Sequence, residues 1–80
     1  MSAANAIAVL GAGSWGTALA IQLARGGREV RLWGRNAGDL ARLERDRENR
    51  RYLPGAAFPD NLVVQADLLA CIRGAGDILV

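Results

Sequence analysis

Histidine and lysine are missing from this 80-residue chain, cysteine occurs once, and two Trp, one Tyr and one Phe are its only aromatics. Without histidine, and with Cys71 alone, there is no ligand cluster for a zinc site. Cys71 has no partner for an internal disulfide, and in its apolar segment it reads as a small buried side chain of a protein kept reduced, which fits a cytoplasmic location. Also missing is any block of one charge. Ten arginines, scattered from Arg25 to Arg73, face eight acids for a net charge of +2, a balance that does not favour nucleic acid. Asp60, Asp67 and Asp77 lie apart and read as a turn residue, a helix N-cap and a strand start. No apolar run approaches the roughly 20 residues that span a bilayer. The opening Met1 to Ala6 has no basic region leading into an apolar core, so neither anchor nor leader is expected. With 51% apolar residues the chain is expected to form one small soluble domain, which buries about 60 to 65 per cent of its unfolded surface and is marginally stable.

Glycine, by contrast, is plentiful, with ten residues, and its placement organises the chain. Ile7 to Gly16 is a short apolar run followed by Gly-x-Gly-x-x-Gly, with Gly11, Gly13 and Gly16 in the glycine positions, and then by a helix-forming run to Arg25. Each glycine has its own reason. Gly11 suits the tight turn from strand to helix, Gly13 lets a pyrophosphate approach the backbone, and Gly16 lets the helix pack closely on the strand. The amides of roughly Ser14 to Thr17 then point at the phosphates, where the helix dipole also favours negative charge. In so glycine-rich a chain the motif alone is a weak signal. The strand before it, the helix after it and a second strand at the right distance favour dinucleotide binding over a purely structural turn.

Residues 6 to 10 read as a strand buried on both faces, and the first helix runs from Ser14, a candidate N-cap, to Arg25, stopped by Gly26 and Gly27. Its apolar residues cover nearly its whole circumference, so a second covering layer is implied. Glu29 to Trp33 alternates as a partly exposed second strand, completing a right-handed βαβ unit. A second helix is expected from Ala37 to Arg50, with Leu40 and Leu43 inward, its charges (Arg47 and Glu48 among them) outward, and Arg42–Asp46 and Asp46–Arg50 paired. Arg51 to Asn61, with Pro54-Gly55 and Pro59, reads as an irregular loop. A third strand, Leu62 to Gln65, a short helix, Ala66 to Arg73, and a fourth strand from Asp77 complete the chain. The fold class is therefore α/β, a Rossmann-type doubly wound parallel sheet of strand order 3-2-1-4. Its fourth strand arrives at the chain's end with an apolar edge, which leads us to expect a partial domain, residues 1 to 80 of something longer.

Cofactor choice is written where the second strand ends. An NAD-preferring site places an acid about 20 residues beyond the glycines to accept bonds from the adenosine ribose. Here those positions hold Trp33, Gly34, Arg35 and Asn36, with no carboxylate before Asp39. Arg35 can form charge-assisted bonds to a 2′-phosphate and stack on the adenine, so NADPH is expected over NADH, although Arg35 also reads as an ordinary surface arginine.

Four stretches, Gly-Ala-Gly-Ser-Trp-Gly-Thr-Ala-Leu-Ala (11 to 20), Leu-Trp-Gly-Arg (32 to 35), Asn-Arg-Arg-Tyr-Leu-Pro-Gly (49 to 55) and Phe-Pro-Asp-Asn-Leu (58 to 62), together resemble the amino-terminal part of bacterial NAD(P)-dependent glycerol-3-phosphate dehydrogenase. The resemblance implies reduction of dihydroxyacetone phosphate to sn-glycerol 3-phosphate, the precursor of phospholipids, in the cytoplasm. It implies cofactor contacts at Ser14 and Trp15, an adenosine-end contact at Arg35 and an aromatic contact at Tyr52. Tyr52 reads equally as an aromatic packing its loop against the sheet. Members of that family are longer and carry a second, helical substrate-binding domain, which the resemblance implies is absent from this chain, and their catalytic lysine and substrate contacts match nothing in it.

Reducing a ketone by hydride also needs a proton donor or cation for the developing alkoxide, and no residue of this chain suits that task. Two readings stand at this level. Either the chain is the cofactor-binding portion of a glycerol-3-phosphate dehydrogenase, with the three-carbon phosphorylated substrate held elsewhere in the longer enzyme, or it is a free-standing nucleotide-binding module. A related reductase, such as a ketopantoate reductase or a sugar-nucleotide dehydrogenase, is a weaker third, opposed by the Tyr-Leu-Pro-Gly loop.

Overall fold

Ile7–Leu10 forms β1 at the interior of a four-stranded sheet, paired on both edges, which is why this run is apolar without alternation. The computed structural model describes residues 6–80. Met1 to Asn5, on which the expectation about a leader largely rests, lie outside the described residues. β2 (Val30–Trp33) runs parallel to β1 from Ile7↔Val30 to Leu10↔Trp33. The intervening helix α1 (Ser14–Arg25) makes the crossover. β3 (Glu48–Asn49) and β4 (Leu53–Ala57) form a separate hairpin. β5 (Leu62–Val64) pairs with the outer side of β2, and β6 (Asp77–Leu79) pairs with the other side of β1, both parallel. The order β5-β2-β1-β6 is the expected 3-2-1-4 with the hairpin strands counted, and the fold is the doubly wound Rossmann type.

α1 buries Thr17, Ala20, Ile21 and Ala24, the i, i+3, i+4, i+7 stripe of a helix laid on a sheet. They pack with Ile7, Val9, Val30, Leu32 and Leu62 of the strands, joined by Leu40, Leu43 and Phe58. On the other sides of α1, Leu19 and Leu23 are half-buried and Trp15 is exposed. β2 alternates as expected, with Val30 and Leu32 buried and Arg31 and Trp33 partly covered. Among the described residues no helix is long and apolar enough to cross a membrane.

Three expectations need correction. Ser14 is not the N-cap of α1. Gly13 holds that place without a side-chain bond, and Ser14 is the first helical residue. The second helix, α2 (Ala37–Asp46), stops short of Arg50 because Arg47 turns left-handed (φ 53°), its amide donating to the Leu43 carbonyl. The Arg47 side chain does not face solvent as expected. It donates to the carbonyls of Pro59 (2.9 Å) and Leu62 (2.8 Å), and lies 5.7 Å from the Phe58 ring centre. These bonds compensate the backbone strain of the turn. Residues 51 to 57, expected within an irregular loop, instead supply the turn and second strand of the β3–β4 hairpin, which is antiparallel and bulged between Glu48 and Asn49. Pro54 is tolerated there because the pair has only edge strands.

Smaller differences sit at element ends. β5 closes at Val64, and the last helix, α3 (Leu68–Ile72), starts two residues later than expected, with Asp67 as its cap, accepting from the Leu69 amide at 3.0 Å. Asp60 lies in a turn and Asp77 opens β6, as expected. On α2, Arg42 pairs with Asp39 instead of Asp46. Asp46 pairs with Arg45 at 3.2 Å and with Arg50 at 4.0 Å, on a largely exposed face where such contacts contribute little.

Candidate functional site

The turn from β1 into α1 lies at the carboxyl end of the strand, beside the switch point between β1 and β6, where the strand order reverses. Two of its three glycines answer to structural constraints, each of a different kind. Gly11 has φ 131°, a conformation side chains resist, and its amide donates to the Trp33 carbonyl at 2.6 Å. At Gly16 a Cβ would stand 1.9 Å from the Gly11 carbonyl oxygen, so helix and turn can approach only because that atom is missing. Gly13 is under neither constraint. Its φ of −75° and ψ of −171° are open to any residue, and a Cβ there would meet nothing within 4 Å. The space left beside it is open on the outer side of the turn.

Electrostatics at this point favour an anion. Among the described residues the amides of Gly13, Ser14, Trp15 and Gly16 have no acceptor, α1 has no acid in its first turn, and its cap supplies no side-chain oxygen. These are the unpaired donors at the positive end of the helix dipole.

Two cavities flank the turn and share one lining residue, Gly13. The larger, about 440 Å³, lies between the end of β2, α2 and the hairpin. Arg35 and Tyr52 both line it, so residues 17 apart in sequence are brought to one hollow. Asn36 also lines it, but its side chain is committed to capping α2, accepting from the Asp39 amide at 2.9 Å. The Asp39 carboxylate in turn pairs with Arg42, and Arg50 lies near Glu48 (3.8 Å) and Asp46 (4.0 Å). Among the described residues, Arg35 and Arg51 of this lining have no carboxylate partner, Arg51 instead lying 5.1 Å from the Tyr52 ring centre. The smaller cavity, about 330 Å³, is lined by Ser14 and Trp15 together with Val9, Leu10 and Leu79. Trp15 is 78% exposed at its mouth, too open for a core role.

Arg51, Gly34 and Asn49 also line the larger cavity, although the sequence alone assigned none of them a role there. Arg51 had a signal in the basic pair directly before Tyr52. Gly34 had none, since its need to be small comes from Ala12, whose Cβ would lie 3.1 Å from a Cβ at position 34. Cys71 is fully buried, as expected, with its thiol 3.6 Å from the Arg31 carbonyl. Burial pushes that thiol up from the ordinary range, against a smaller opposing effect of the Arg31 guanidinium. It lines neither cavity.

The parallel sheet and the glycine turn at its switch point define a Rossmann-type nucleotide-binding domain. The model of the NAD-dependent glycerol-3-phosphate dehydrogenase N-terminus matches residues 6–80, and the chain belongs to that family. It is 60% identical over 67 residues to glycerol-3-phosphate dehydrogenase (NAD(P)+) of Pseudoalteromonas translucida, covering 84% of this chain and 20% of that protein. To the protein of the same name from Colwellia psychrerythraea it is 51% identical over 80 residues, covering 100% of this chain and 24% of that one. The crystal structure of glycerol-3-phosphate dehydrogenase from Coxiella burnetii superposes with a TM-score of 0.90 at 47% identity, over 92% of this chain and 23% of that one. The Plasmodium falciparum glycerol-3-phosphate dehydrogenase does so with a TM-score of 0.74 at 30% identity, over 90% and 23%. The chain thus spans between a fifth and a quarter of the length of the proteins it matches. Family membership favours the dehydrogenase reading over a free-standing module or a ketopantoate reductase.

Proposed function

We propose that residues 1 to 80 form part of the NAD(P)H-binding domain of a cytoplasmic glycerol-3-phosphate dehydrogenase, which reduces dihydroxyacetone phosphate to sn-glycerol 3-phosphate for phospholipid synthesis. The observation that carries the cofactor reading is Gly13. Neither its backbone angles nor its packing calls for glycine, and it faces the space between two cavities beside four amides without acceptors. A ligand diphosphate accounts for both facts.

In this reading Gly11 and Gly16 shape the turn, and Gly13, Ser14 and Trp15 contact the diphosphate and the nicotinamide side. Arg35, with Arg51 near it, and Tyr52 receive the adenosine end in the larger cavity. Two cations without carboxylate partners, and a β2 end whose nearest carboxylate is already paired, favour NADPH over NADH. When bound, the cofactor supplies the hydride, and the chain binds and orients it. The catalytic groups and the helical substrate domain lie outside these residues.

Titration with NADPH and NADH followed by melting curves tests the reading. A ligand at 100 times its Kd raises stability by about 2.7 kcal/mol. Arg35→Asp is expected to weaken NADPH binding about tenfold to a hundredfold and NADH binding far less. Equal losses for the two cofactors would refute the role of Arg35, and no binding of either would refute the site.

A further inference from the structure

Asn49 opens the Asn-Arg-Arg-Tyr-Leu-Pro-Gly stretch, yet the cofactor reading leaves it without a task. It is a polar side chain only 3% exposed, beside the fully buried Thr17. A buried amide is costly unless all its groups are satisfied. Here Nδ2 donates to the Ala12 carbonyl (2.9 Å) and to Thr17 Oγ1 (2.9 Å), while Oδ1 accepts from the Tyr52 amide (3.2 Å). Thr17 Oγ1 donates in turn to the same Ala12 carbonyl at 3.3 Å.

The shared acceptor is what matters. Ala12 sits between Gly11 and Gly13, and the peptide joining it to Gly13 is trans, so its C=O and N–H point in opposite directions. Two donors holding the oxygen therefore aim the Gly13 N–H away from Asn49. That amide has no acceptor among the described residues, and the space beside Gly13 is open. Such a peptide turns over by rotation about ψ of Ala12 and φ of Gly13, which glycine at position 13 eases, and turning it over would present an oxygen to an incoming anion.

We propose that Asn49 is a positioning residue for the dinucleotide. With Thr17 it locks the Ala12–Gly13 peptide in the orientation that presents an N–H to the diphosphate, so that this donor is ordered before the ligand arrives. An amide is required because it donates twice and accepts once at the same point, which no aspartate, serine or leucine does. The proposal rests on the reading of the glycine turn as a diphosphate site.

The test compares the unsubstituted full chain with Asn49→Ala and with Thr17→Val, which removes one donor to the Ala12 oxygen at nearly constant volume. Binding of NADPH and of adenosine 2′-monophosphate, which has no diphosphate, is measured well below each melting midpoint, and the Gly13 amide is followed by NMR without ligand. Asn49→Ala is expected to weaken NADPH about tenfold and adenosine 2′-monophosphate less than threefold, with the Gly13 amide signal doubled or broadened. Thr17→Val is expected to move both readouts the same way by less, and it decides the matter should Asn49→Ala not fold. Unchanged NADPH affinity, or equal losses for the two ligands with a single sharp Gly13 signal, would overturn the proposal while the site reading stood. Failure of the unsubstituted chain to bind NADPH would overturn both.

Discussion

Gly16 is the residue at which local chemistry and long-range geometry meet most tightly. A methyl group there would lie 1.9 Å from the Gly11 carbonyl oxygen and 3.1 Å from its carbon, both backbone atoms that move only if the turn moves. Gly16→Ala is therefore expected to cost about 1 to 3 kcal/mol as an overpacking change. In a domain of this size that is a fall of roughly 5 to 20 °C in Tm, read by a melting curve. Gly11 and Gly16 were both legible as glycine requirements in the sequence, because a strand-turn-helix leaves few other solutions. Asn49 was not. Its role depends on Ala12 and Thr17, 37 and 32 residues away, and nothing about an asparagine before two arginines announces that.

At the scale of elements, α3 illustrates how a short helix is held by another element. It has five residues and no base in its last turn. Arg31 of β2 supplies the missing cation. Its guanidinium donates to the carbonyls of Arg73 (2.7 Å), Cys71 (3.2 Å) and Ala70 (3.5 Å), and its side chain is only 16% exposed. Such charge-assisted bonds compensate the unpaired carbonyls of the helix end. Arg31→Met keeps much of the stem packing but removes these donors, so a loss of about 1.5 to 3 kcal/mol is expected, with α3 amides exchanging hydrogen faster than those of β1. Alternation along β2 identified Arg31 as partly exposed, but not what it touches. The same limit explains the missed hairpin. A Pro-Gly pair followed by a second proline reads as loop, and β4 forms nonetheless because Arg47 reverses the chain and β3 offers it a partner.

For the molecule as a whole, the buried thiol of Cys71 links stability to pH. It holds its proton more tightly in the folded chain than an exposed thiol does, chiefly because burial disfavours the thiolate. Its contribution is thus fully present below the pKa of the unfolded thiol and is lost as pH rises toward the higher folded value. Urea midpoints measured from neutral pH upward are expected to fall through the thiol range, and Cys71→Ala is expected to flatten that part of the profile while lowering stability throughout. A midpoint that rises with pH in both proteins would contradict this. The order of the sheet, the βαβ unit and the glycine turn were settled by sequence alone, because apolar periodicity and backbone sterics act over a few residues and leave a small set of outcomes. Only the tertiary structure decided that α2 ends at Arg47, that Arg35 and Tyr52 face one cavity, and that Asn49 reaches the Ala12 carbonyl. Those features arise from contacts between residues distant along the chain, and their energy exists only once the sheet has brought the partners together.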